Sequence, residues 1–574
     1  MIGASQSLAR VRIPEKPDRH QTSFWMGFIS SGSSMYRAQF VDGAQRLAPR
    51  GRRTHSFRKP TVRARDRQRT DRPSVEDVAR FMPEQPQSMV RYEAWIKAGI
   101  LVLCVVVAAM VIASGRFTLR HSLFTGSALG DTFWYSAIFY GGLMYAVLVW
   151  RVVMWRRYKP MDAVPEKHLP SLTVIIPAFN EGALVRQSIL SVAANRYPRH
   201  KLEIFAIDDG SSDDTWLHIR AAAAEVDPRI RITTHKQPKN MGKRHALYHG
   251  FMHGRGDVFV TIDSDSVLHP EALRNAVSPV VRNPRIGAVA GCVEVMNPRQ
   301  SIITRFLKTT FSLSFKFVRA YQNQYYGVFC TPGALSVYRA DVVRKVADEW
   351  LNQHFLGLPC TTGEDRAMTN LILREGWLTA YQQNAVVYSQ MPHTYPGMVR
   401  MLLRWGRSNI RETIVLFRFL FTRFRREYLR TFQFQMVLVA LTLVLPPFMI
   451  FNSTLLLFTS YGYVMHQLGM LLIYGATMAT IYYVNERDSD WIWLFLYEFS
   501  WVPGFSWIIP YSAFTLRNTG WLTRGNAATS DSASELEPEA VPATATLHLP
   551  AAARTAPAAA QHAPALNPVV AMAQ

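Results

Sequence analysis

Cysteine is scarce in this 574-residue chain, and the four cysteines lie far apart. Cys104, Cys292, Cys330 and Cys360 form no CxxC pair and show no spacing typical of a metal site. The sequence therefore argues against a disulfide framework and a zinc module, and it predicts reduced thiols. No GxGxxG follows any predicted strand, so a dinucleotide-binding Rossmann domain is not supported either.

Acidic residues are fewer than basic ones: the chain has 41 Asp and Glu residues and 64 Lys and Arg residues, and its net charge is +23. The positive charge is concentrated in an Arg-rich start, residues 46–72, and beside apolar segments. This placement follows the positive-inside rule and suits anionic lipid. We therefore predict contact with membrane lipid and no nucleic-acid partner.

A signal peptide is also missing from the start, which lacks the basic region, apolar stretch and cleavage site in sequence. Residues 1–92 are instead predicted to be a disordered, Arg-rich cytoplasmic tail, and the Ala/Pro-rich residues 526–574 a second disordered tail.

Long apolar runs predict membrane-spanning helices on both sides of a polar middle region. The spans are predicted at residues 98–115, 133–150, 434–457 and 463–484. A further segment, 491–516, is interrupted at Pro503-Gly504, and a helical hairpin is favoured there over one span because positive charge follows it. The basic flanks place the N-terminus and the middle region in the cytoplasm. The chain is thus predicted to be a multi-pass protein of the cell (inner or plasma) membrane.

Between about residues 165 and 395, short apolar runs alternate with segments of helical periodicity. This alternation predicts a mostly parallel sheet covered by helices, with ligands at the carboxyl ends of the strands. The strands are predicted in LTVIIPAF (172–179), LEIFAID (202–208), IRITTHK (230–236), DVFVTID (257–263) and IGAVAGCVEV (286–295).

The segment GMVRMLLRWGRSNIRE (397–412) has the periodicity of an amphipathic helix. Its apolar side carries Met398, Met401, Leu402 and Trp405, and its basic side carries Arg400, Arg404, Arg407 and Arg411. The pattern predicts a helix lying on a membrane surface, and residues 414–432 predict a second one.

Carboxylates follow two of the predicted strands. Those in IDDGSSDD (207–214) suit hydrogen bonding to a nucleobase and ribose, and equally a turn that caps the next helix. Asp263 and Asp265 offer hard oxygen ligands for Mg²⁺ or Mn²⁺, or alternatively form an Asx turn. Glu364 and Asp365 begin an amphipathic helix, where they could cap its N-terminus or supply a general base.

The order of these motifs resembles that of membrane-embedded, processive family 2 glycosyltransferases. The motifs are DDGS (208–211), DxD (263–265), GED (363–365) and RW (404–405), and the resemblance extends over about 170–525. Several sequence segments are most similar to hyaluronan synthases, among them NMGKRHAL (240–247), FLGLPCTTGEDRAMTN (355–370) and WLTR (521–524). Nodulation-type chitooligosaccharide synthases share the plan and RWxRS (404–408), and cellulose synthases are also similar.

The resemblance implies a GT-A-type, Rossmann-like nucleotide-sugar domain over 159–395, facing the cytoplasm. Interfacial amphipathic helices would follow at 396–432, with transmembrane helices at 93–158 and 433–525. The implied activity is processive, inverting β-glycosyl transfer from UDP-GlcNAc and UDP-GlcA to hyaluronan, with the growing polysaccharide as acceptor passing through the membrane. The alternatives are a chitin-like polymer made from one UDP-sugar, and a non-catalytic membrane protein that binds nucleotide-sugars.

The resemblance also implies residue roles. Substrate-binding roles fall on Asp208, Asp209, Ser211, Lys243, Arg244, Asp263, Arg404 and Trp405. Asp263 and Asp265 would hold the Mg²⁺ or Mn²⁺ ion, and Asp365, beside Glu364 in the catalytic set, would deprotonate the acceptor hydroxyl. Arg404 would neutralise charge on the departing UDP, and Trp405 would stack on the acceptor sugar.

Two departures from the family pattern bear on polymer identity. The family usually reads QxxRW, whereas Met401 stands at the glutamine position, and a thioether cannot replace an amide as a hydrogen-bonding group. In FCTPGALSVYR (329–339), Pro332 and Gly333 are in an altered order close to the expected acceptor entrance.

Overall fold

The computed structural model describes residue 81 and residues 92–115, 128–457 and 461–518. The predicted disordered tail at 526–574 lies outside these residues, as do the WLTR phrase at 521–524 and all of the tail at 1–92 except residues 81 and 92.

An eight-stranded mixed sheet forms the centre of the middle region, in the order β3-β2-β1-β4-β7-β6-β10-β5, and β8 pairs with β9 as a separate hairpin. The strands are β1 (Leu172–Ala178), β2 (Leu202–Asp208), β3 (Arg231–Lys236), β4 (Val258–Thr261), β5 (Ser266–Leu268), β6 (Ile286–Val295), β7 (Ser336–Arg339), β8 (His354–Phe355), β9 (Leu358–Pro359) and β10 (Leu378–Ser389).

All five predicted strands are present, as β1 to β4 and β6. The sheet is mostly parallel, as predicted: six strands share one direction, and only β7, which lies between β4 and β6, and the edge strand β5 run antiparallel to their neighbours. Every residue of β1 and β2 is buried, which explains why both read as continuous apolar runs.

Helices cover the sheet and continue beyond it. They are α1 (Glu93–Ala113), α2 (Ala128–Arg157), α3 (Leu184–Ala193), α4 (Thr215–Glu225), α5 (Lys243–His253), α6 (Ala272–Arg282), α7 (Ile302–Ser312), α8 (Ala320–Asn323), α9 (Ala340–Leu351), α10 (Glu364–Arg374), α11 (Tyr395–Leu420), α12 (Leu429–Leu457), α13 (Tyr461–Glu486), α14 (Ile492–Phe505) and α15 (Ile508–Phe514). A π-helix, Leu313–Arg319, joins α7 to α8.

The two faces of β1 are packed into different cores. Val174 and Ile176 lie in one apolar cluster with Ile189 of α3, whereas Ile175 lies in another with Phe251 of α5. Burial of each such side chain contributes about 1.5–3 kcal/mol, so this two-sided packing fixes the strands whose ends carry the acidic motifs.

Two helices among the described residues are long and apolar enough to cross a bilayer, Glu93–Ala113 and Val464–Glu486. They correspond to the spans predicted at 98–115 and 463–484. The segments predicted at 133–150 and 434–457 are helical as well, within α2 and α12. The last apolar segment is bent by 64° between Ser489–Trp501 and Pro503–Phe514, at the predicted interruption.

The segment predicted as two interfacial helices has a different structure. One helix, α11, continues to Leu420, so residues 414–432 are the end of α11, a connection and the start of α12. The basic stripe of α11 is not a lipid-facing surface throughout, because Arg407 and Arg411 are buried. Arg407 donates to the Thr515 hydroxyl at 3.0 Å, and Arg411 donates to the Thr362 carbonyl.

Candidate active site

The DDGS motif forms a tight, buried turn after β2. The Asp208 carboxylate accepts a hydrogen bond from the Ser211 amide at 2.9 Å, and the Ser211 hydroxyl accepts one from the Asn180 amide at 3.0 Å. These bonds join the ends of β1 and β2. They hold Asp208 and Ser211 at the carboxyl edge of the sheet, whereas the next helix, which begins at Thr215, has Asp214 as its N-cap residue and no side-chain capping bond.

Asp209 fixes the loop that precedes α5. Its two carboxylate oxygens accept hydrogen bonds from the amides of Met241 and Gly242, at 2.9 and 2.8 Å. Burial raises the pKa of Asp209, although these two backbone donors oppose the rise. The DDGS and NMGK segments are thus tied together, which positions the first residue of α5, Lys243.

Lys243 links two of the predicted acidic motifs. Its ammonium lies 2.5 Å from Asp263 Oδ1 and 2.8 Å from Glu364 Oε1. Burial disfavours the charged ammonium, but the two carboxylates outweigh burial and raise the pKa of Lys243. The side chain is therefore a fixed positive charge between the DxD and GED motifs.

The side chain of Arg244 does not join Lys243 beside the acidic motifs. Its guanidinium is buried, donating to the Trp350 carbonyl at 2.6 Å and to Gln353 Oε1 at 2.8 Å. Burial lowers its pKa. Its contacts tie α5 to the C-terminal end of α9, a structural role in place of the predicted contact with the donor.

Asp263 and Asp265 flank a turn between β4 and β5, and both are partly exposed. The Asp265 carboxylate accepts a hydrogen bond from the Ser266 hydroxyl at 3.3 Å. Within the described part of the chain, no three His, Cys, Asp or Glu side chains are grouped so that they could hold a metal. Two exposed carboxylates still suit Mg²⁺ or Mn²⁺, since these ions keep waters and take substrate phosphates as their other ligands.

In the GED motif, the pKa values of the two adjacent carboxyl groups are shifted in opposite directions. Burial would raise the pKa of Glu364, but the charges of Lys243 and Arg404 outweigh it and lower that pKa to about 2. Burial and the neighbouring Glu364 carboxylate instead raise the pKa of Asp365. A fixed anion beside a carboxyl group with higher proton affinity is what a general base requires.

The loop before β7 closes over these groups. Cys330 donates to Asp365 Oδ2 at 3.7 Å, and burial, followed by the Asp365 charge, raises the pKa of this thiol to about 12. A Cβ atom added to Gly333 would lie 2.8 Å from the Lys243 ammonium, so the loop packs directly on that charge. A small cavity at this place is lined by Lys243, Gly333, Glu364 and Asp365 together with apolar residues.

Arg404 and Trp405 reach the same region from α11. The Arg404 charge lowers the pKa of Glu364, and the Trp405 ring is 36% exposed and lies 5.8 Å from the Phe311 ring. Arg404 thus lies within electrostatic reach of the GED motif, and Trp405 packs beside Phe311 of α7.

Met401 points elsewhere. Its side chain is 5% exposed and lies in the main apolar core with Met398 and Leu403. The departure from QxxRW therefore places a thioether in an apolar environment.

The sequence assigns no role to Cys330 and does not reveal the close contacts of Gly333 and Gly363. Cys330 was set aside because no second cysteine accompanies it, and its contact with Asp365 joins residues 35 positions apart. The altered Pro332-Gly333 order was the available signal, since it marks the loop that packs against Lys243.

Comparison with known proteins agrees with this geometry. Residues 170–408 match the family model described as "Glycosyltransferase like family 2". Residues 170–408 are a family 2 glycosyltransferase domain. With the mixed sheet and its acidic strand ends, this glycosyltransferase domain has the GT-A-like fold that the resemblance implies.

Two curated relatives are each similar to less than half of this chain. An N-acetylglucosaminyltransferase of Rhizobium leguminosarum bv. viciae is 32% identical over 247 residues, which are 43% of this chain and 57% of the relative. A hyaluronan synthase of Streptococcus pyogenes is 31% identical over 261 residues, which are 45% of this chain and 61% of the relative. The chain thus spans less than two thirds of the length of either relative.

Among solved structures, the chain is similar to a mannosyltransferase from Pyrobaculum calidifontis in complex with GDP-Man and Mn²⁺. The match has a TM-score of 0.46 and 20% identity, and it covers 67% of this chain and 96% of that one.

Proposed function

We propose that the chain is a processive, inverting β-glycosyltransferase that polymerises UDP-sugars and passes the polysaccharide through the membrane. The observation that carries the proposal is the arrangement of Lys243, Asp263, Glu364 and Asp365. Within the glycosyltransferase domain, a fixed cation lies beside one carboxyl group with a lowered pKa, Glu364, and near another with a raised pKa, Asp365.

The donor UDP-sugar would bind at the carboxyl edge of the sheet. Asp208, Asp209 and Ser211 would form the wall beside uridine, and the ammonium of Lys243 would face the diphosphate. Asp263 and Asp265 would hold Mg²⁺ or Mn²⁺, which when bound neutralises phosphate charge.

Asp365 would act as the general base. Its raised pKa increases its affinity for the proton of an acceptor hydroxyl, whereas Glu364 remains ionised beside Lys243. The hydroxyl oxygen forms a bond to the sugar C1, the C1–O bond to UDP breaks with its electron pair leaving on UDP, and the proton goes to Asp365. Attack opposite to the leaving group inverts the anomeric centre.

The acceptor end of the polysaccharide would lie against α11. The exposed face of Trp405 is flat and apolar, which suits the face of a sugar ring, and Arg404 would stabilise negative charge on the departing UDP. The two candidate membrane helices support a location in the cell membrane in contact with lipid, with the glycosyltransferase domain on the cytoplasmic side.

Hyaluronan made from UDP-GlcNAc and UDP-GlcA is the leading product, and a chitooligosaccharide or other polymer from one UDP-sugar is the second candidate. The first is supported by the phrases shared with hyaluronan synthases and by the streptococcal relative. The second is supported by the rhizobial N-acetylglucosaminyltransferase, which is equally similar.

The deciding experiment incubates membranes containing the full chain with labelled UDP-GlcNAc, with and without UDP-GlcA, and digests the product with hyaluronidase or chitinase. We expect polymer that requires both donors and is degraded by hyaluronidase. Hyaluronidase-resistant polymer from UDP-GlcNAc alone would support the second candidate instead.

The substitution Asp365→Asn tests the assigned base in the same assay. We expect loss of polymer synthesis with UDP binding retained, whereas undiminished synthesis would refute the assignment. Binding of UDP-sugar by the wild-type chain with no transfer under any donor combination would favour a non-catalytic nucleotide-sugar-binding protein.

A further inference from the structure

A cluster of buried and partly buried ion pairs lies outside the catalytic residues, between the glycosyltransferase domain and the last helices. We refer to it as the ion-pair cluster. Most of its cations lie on α7 and the following π-helix, and most of its anions lie at the end of α13 and just after it, with further members on α1 and β6. The cations are Lys97, Arg305, Lys308 and Lys316, and the anions are Glu93, Glu294, Glu486, Asp488 and Asp490.

Asp490 is the centre of this cluster. Its side chain is buried, yet it contacts Arg305 at 3.0 Å, Lys97 of α1 at 2.8 Å, and Lys308. Three cations around one buried carboxylate compensate its desolvation, and removing a partner from such a group is costly. The cluster therefore fastens α1, α7 and the α13–α14 connection to one another.

The second half of the cluster continues along the same side of the helix. Lys308 contacts Asp488 at 2.9 Å, the Ser312 hydroxyl donates to Glu486 at 2.6 Å, and Lys316 contacts Glu486 at 2.7 Å. Residues four apart rotate progressively around a regular α-helix, but the wider i→i+5 turn of the π-helix offsets that rotation. The π-helix thus keeps Lys316 in line with Lys308 and Ser312.

The opposite contacts of this helical segment reach the acceptor side of the site. The Phe311 ring is stacked on the Phe315 ring at 5.8 Å and lies 5.8 Å from the Trp405 ring. One helical segment therefore holds the connection after a candidate membrane span on one side and the aromatic group beside Trp405 on the other.

We propose that the ion-pair cluster is a positioning element that sets the alignment of Trp405 with the membrane helices, and thereby the length of the polysaccharide. Lys308 and its partners touch no reacting group in this scheme, so they act on retention of the acceptor between transfers rather than on transfer itself. The inference rests on the proposed polymerase function.

The test compares Lys308→Met, Lys308→Arg and Lys345→Met in membranes containing the full chain, measuring UDP released and product length per folded enzyme. Lys345→Met is the control, because Lys345 pairs with Glu375 on the exposed surface of α9. For Lys308→Met we expect product roughly threefold shorter, with UDP release within about twofold of wild type, since the change removes the partly buried ion pairs with both Asp488 and Asp490. Lys308→Arg and Lys345→Met should retain wild-type length.

A double substitution distinguishes positioning from a general loss of structure. If Lys308 acts through Asp488, then Lys308→Met with Asp488→Asn shortens the product no more than the more severe single change. Unchanged product length in Lys308→Met would overturn the inference, as would additive effects, or a fall in UDP release parallel to length. A wild-type chain that releases no UDP from any donor would instead refute the proposed function, and the inference with it.

Discussion

Gly363 and Ser408 are in direct contact where the start of α10 meets α11. A Cβ atom added to Gly363 would lie 2.5 Å from Ser408 Cβ and 2.9 Å from Arg411 Nη2. Gly363 also has φ +70°, a left-handed conformation that side chains other than glycine rarely adopt. The start of α10 can therefore approach α11, and Glu364 lies within the electrostatic reach of Arg404.

Replacing Gly363 by alanine should remove most of the transfer activity. Strain at this φ would cost about 1–3 kcal/mol of the free energy of unfolding, and the clash with Ser408 would push α10 away from α11. UDP release and thermal unfolding of the variant are the measurements. Gly357→Ala is the matched control, because Gly357 also has positive φ (+79°) but has open space around it. Equal losses in both variants would show that backbone strain alone explains the effect.

Lys243→Met should abolish turnover without unfolding the domain. The change leaves Asp263 and Glu364 without their shared cation, so the pKa of Glu364 rises from about 2 and the diphosphate loses a positive partner. Loss of one charge-stabilising group predicts about a 100-fold or larger decrease in kcat. Lys243→Arg should restore part of the activity, and Lys167→Met, at an exposed lysine, should have no effect. Wild-type kcat in Lys243→Met would contradict the assigned role.

The central strands could be predicted from sequence because burial on both faces leaves an unbroken apolar pattern, as in β1 and β2. β10 was missed because Gln382, Gln383 and Asn384 interrupt it at a register shift. Gln382 is nevertheless buried, and its amide is satisfied by the Met161 backbone, 221 residues away. No local pattern reports such a distant partner.

The site was predictable as a set of residues but not as a set of contacts. Acidic residues at strand ends can be identified from sequence, whereas the pairing of Lys243 with Glu364 depends on how α5 and α10 pack. Adjacent helical positions point in different directions, so Arg244 is buried against Trp350 although Lys243 faces the carboxylates. Periodicity likewise predicts the basic face of α11, but it does not predict that the segment containing Thr362 covers Arg411.

A stack of three histidines predicts lower stability in mild acid. The His235 and His249 rings are 4.0 Å apart, and those of His249 and His253 are 4.2 Å apart. Burial, with the two neighbouring histidines, lowers the pKa of His249 to about 4 from the usual 6.5. Between pH 6.5 and about 4 the unfolded chain thus binds more protons at this position, so the free energy of unfolding falls as the pH falls.

Thermal unfolding measured from pH 7.5 to 4.5 checks this prediction. His249→Phe removes the titrating ring while keeping an aromatic side chain beside Phe205, so its midpoint should decline less with acid than that of the wild type. His200→Phe, at an exposed histidine, should follow the wild-type curve. Parallel curves for wild type and His249→Phe would exclude the stack as the source of acid sensitivity.

Met401→Gln should weaken the fold and alter product length or rate, without creating an activity that the wild type lacks. The side chain is buried among apolar neighbours, so a glutamine amide without a partner would cost about 1–3 kcal/mol. Met398→Gln, one turn earlier on α11 and equally buried, is the matched control for that cost. If Met401→Gln changes product length and Met398→Gln does not, position 401 contributes to binding of the acceptor. The effect would then reach Trp405 through the helix turn that joins it to Met401. Equal effects of the two variants would assign position 401 to packing alone, and an inactive wild type rescued by Met401→Gln would refute the prediction.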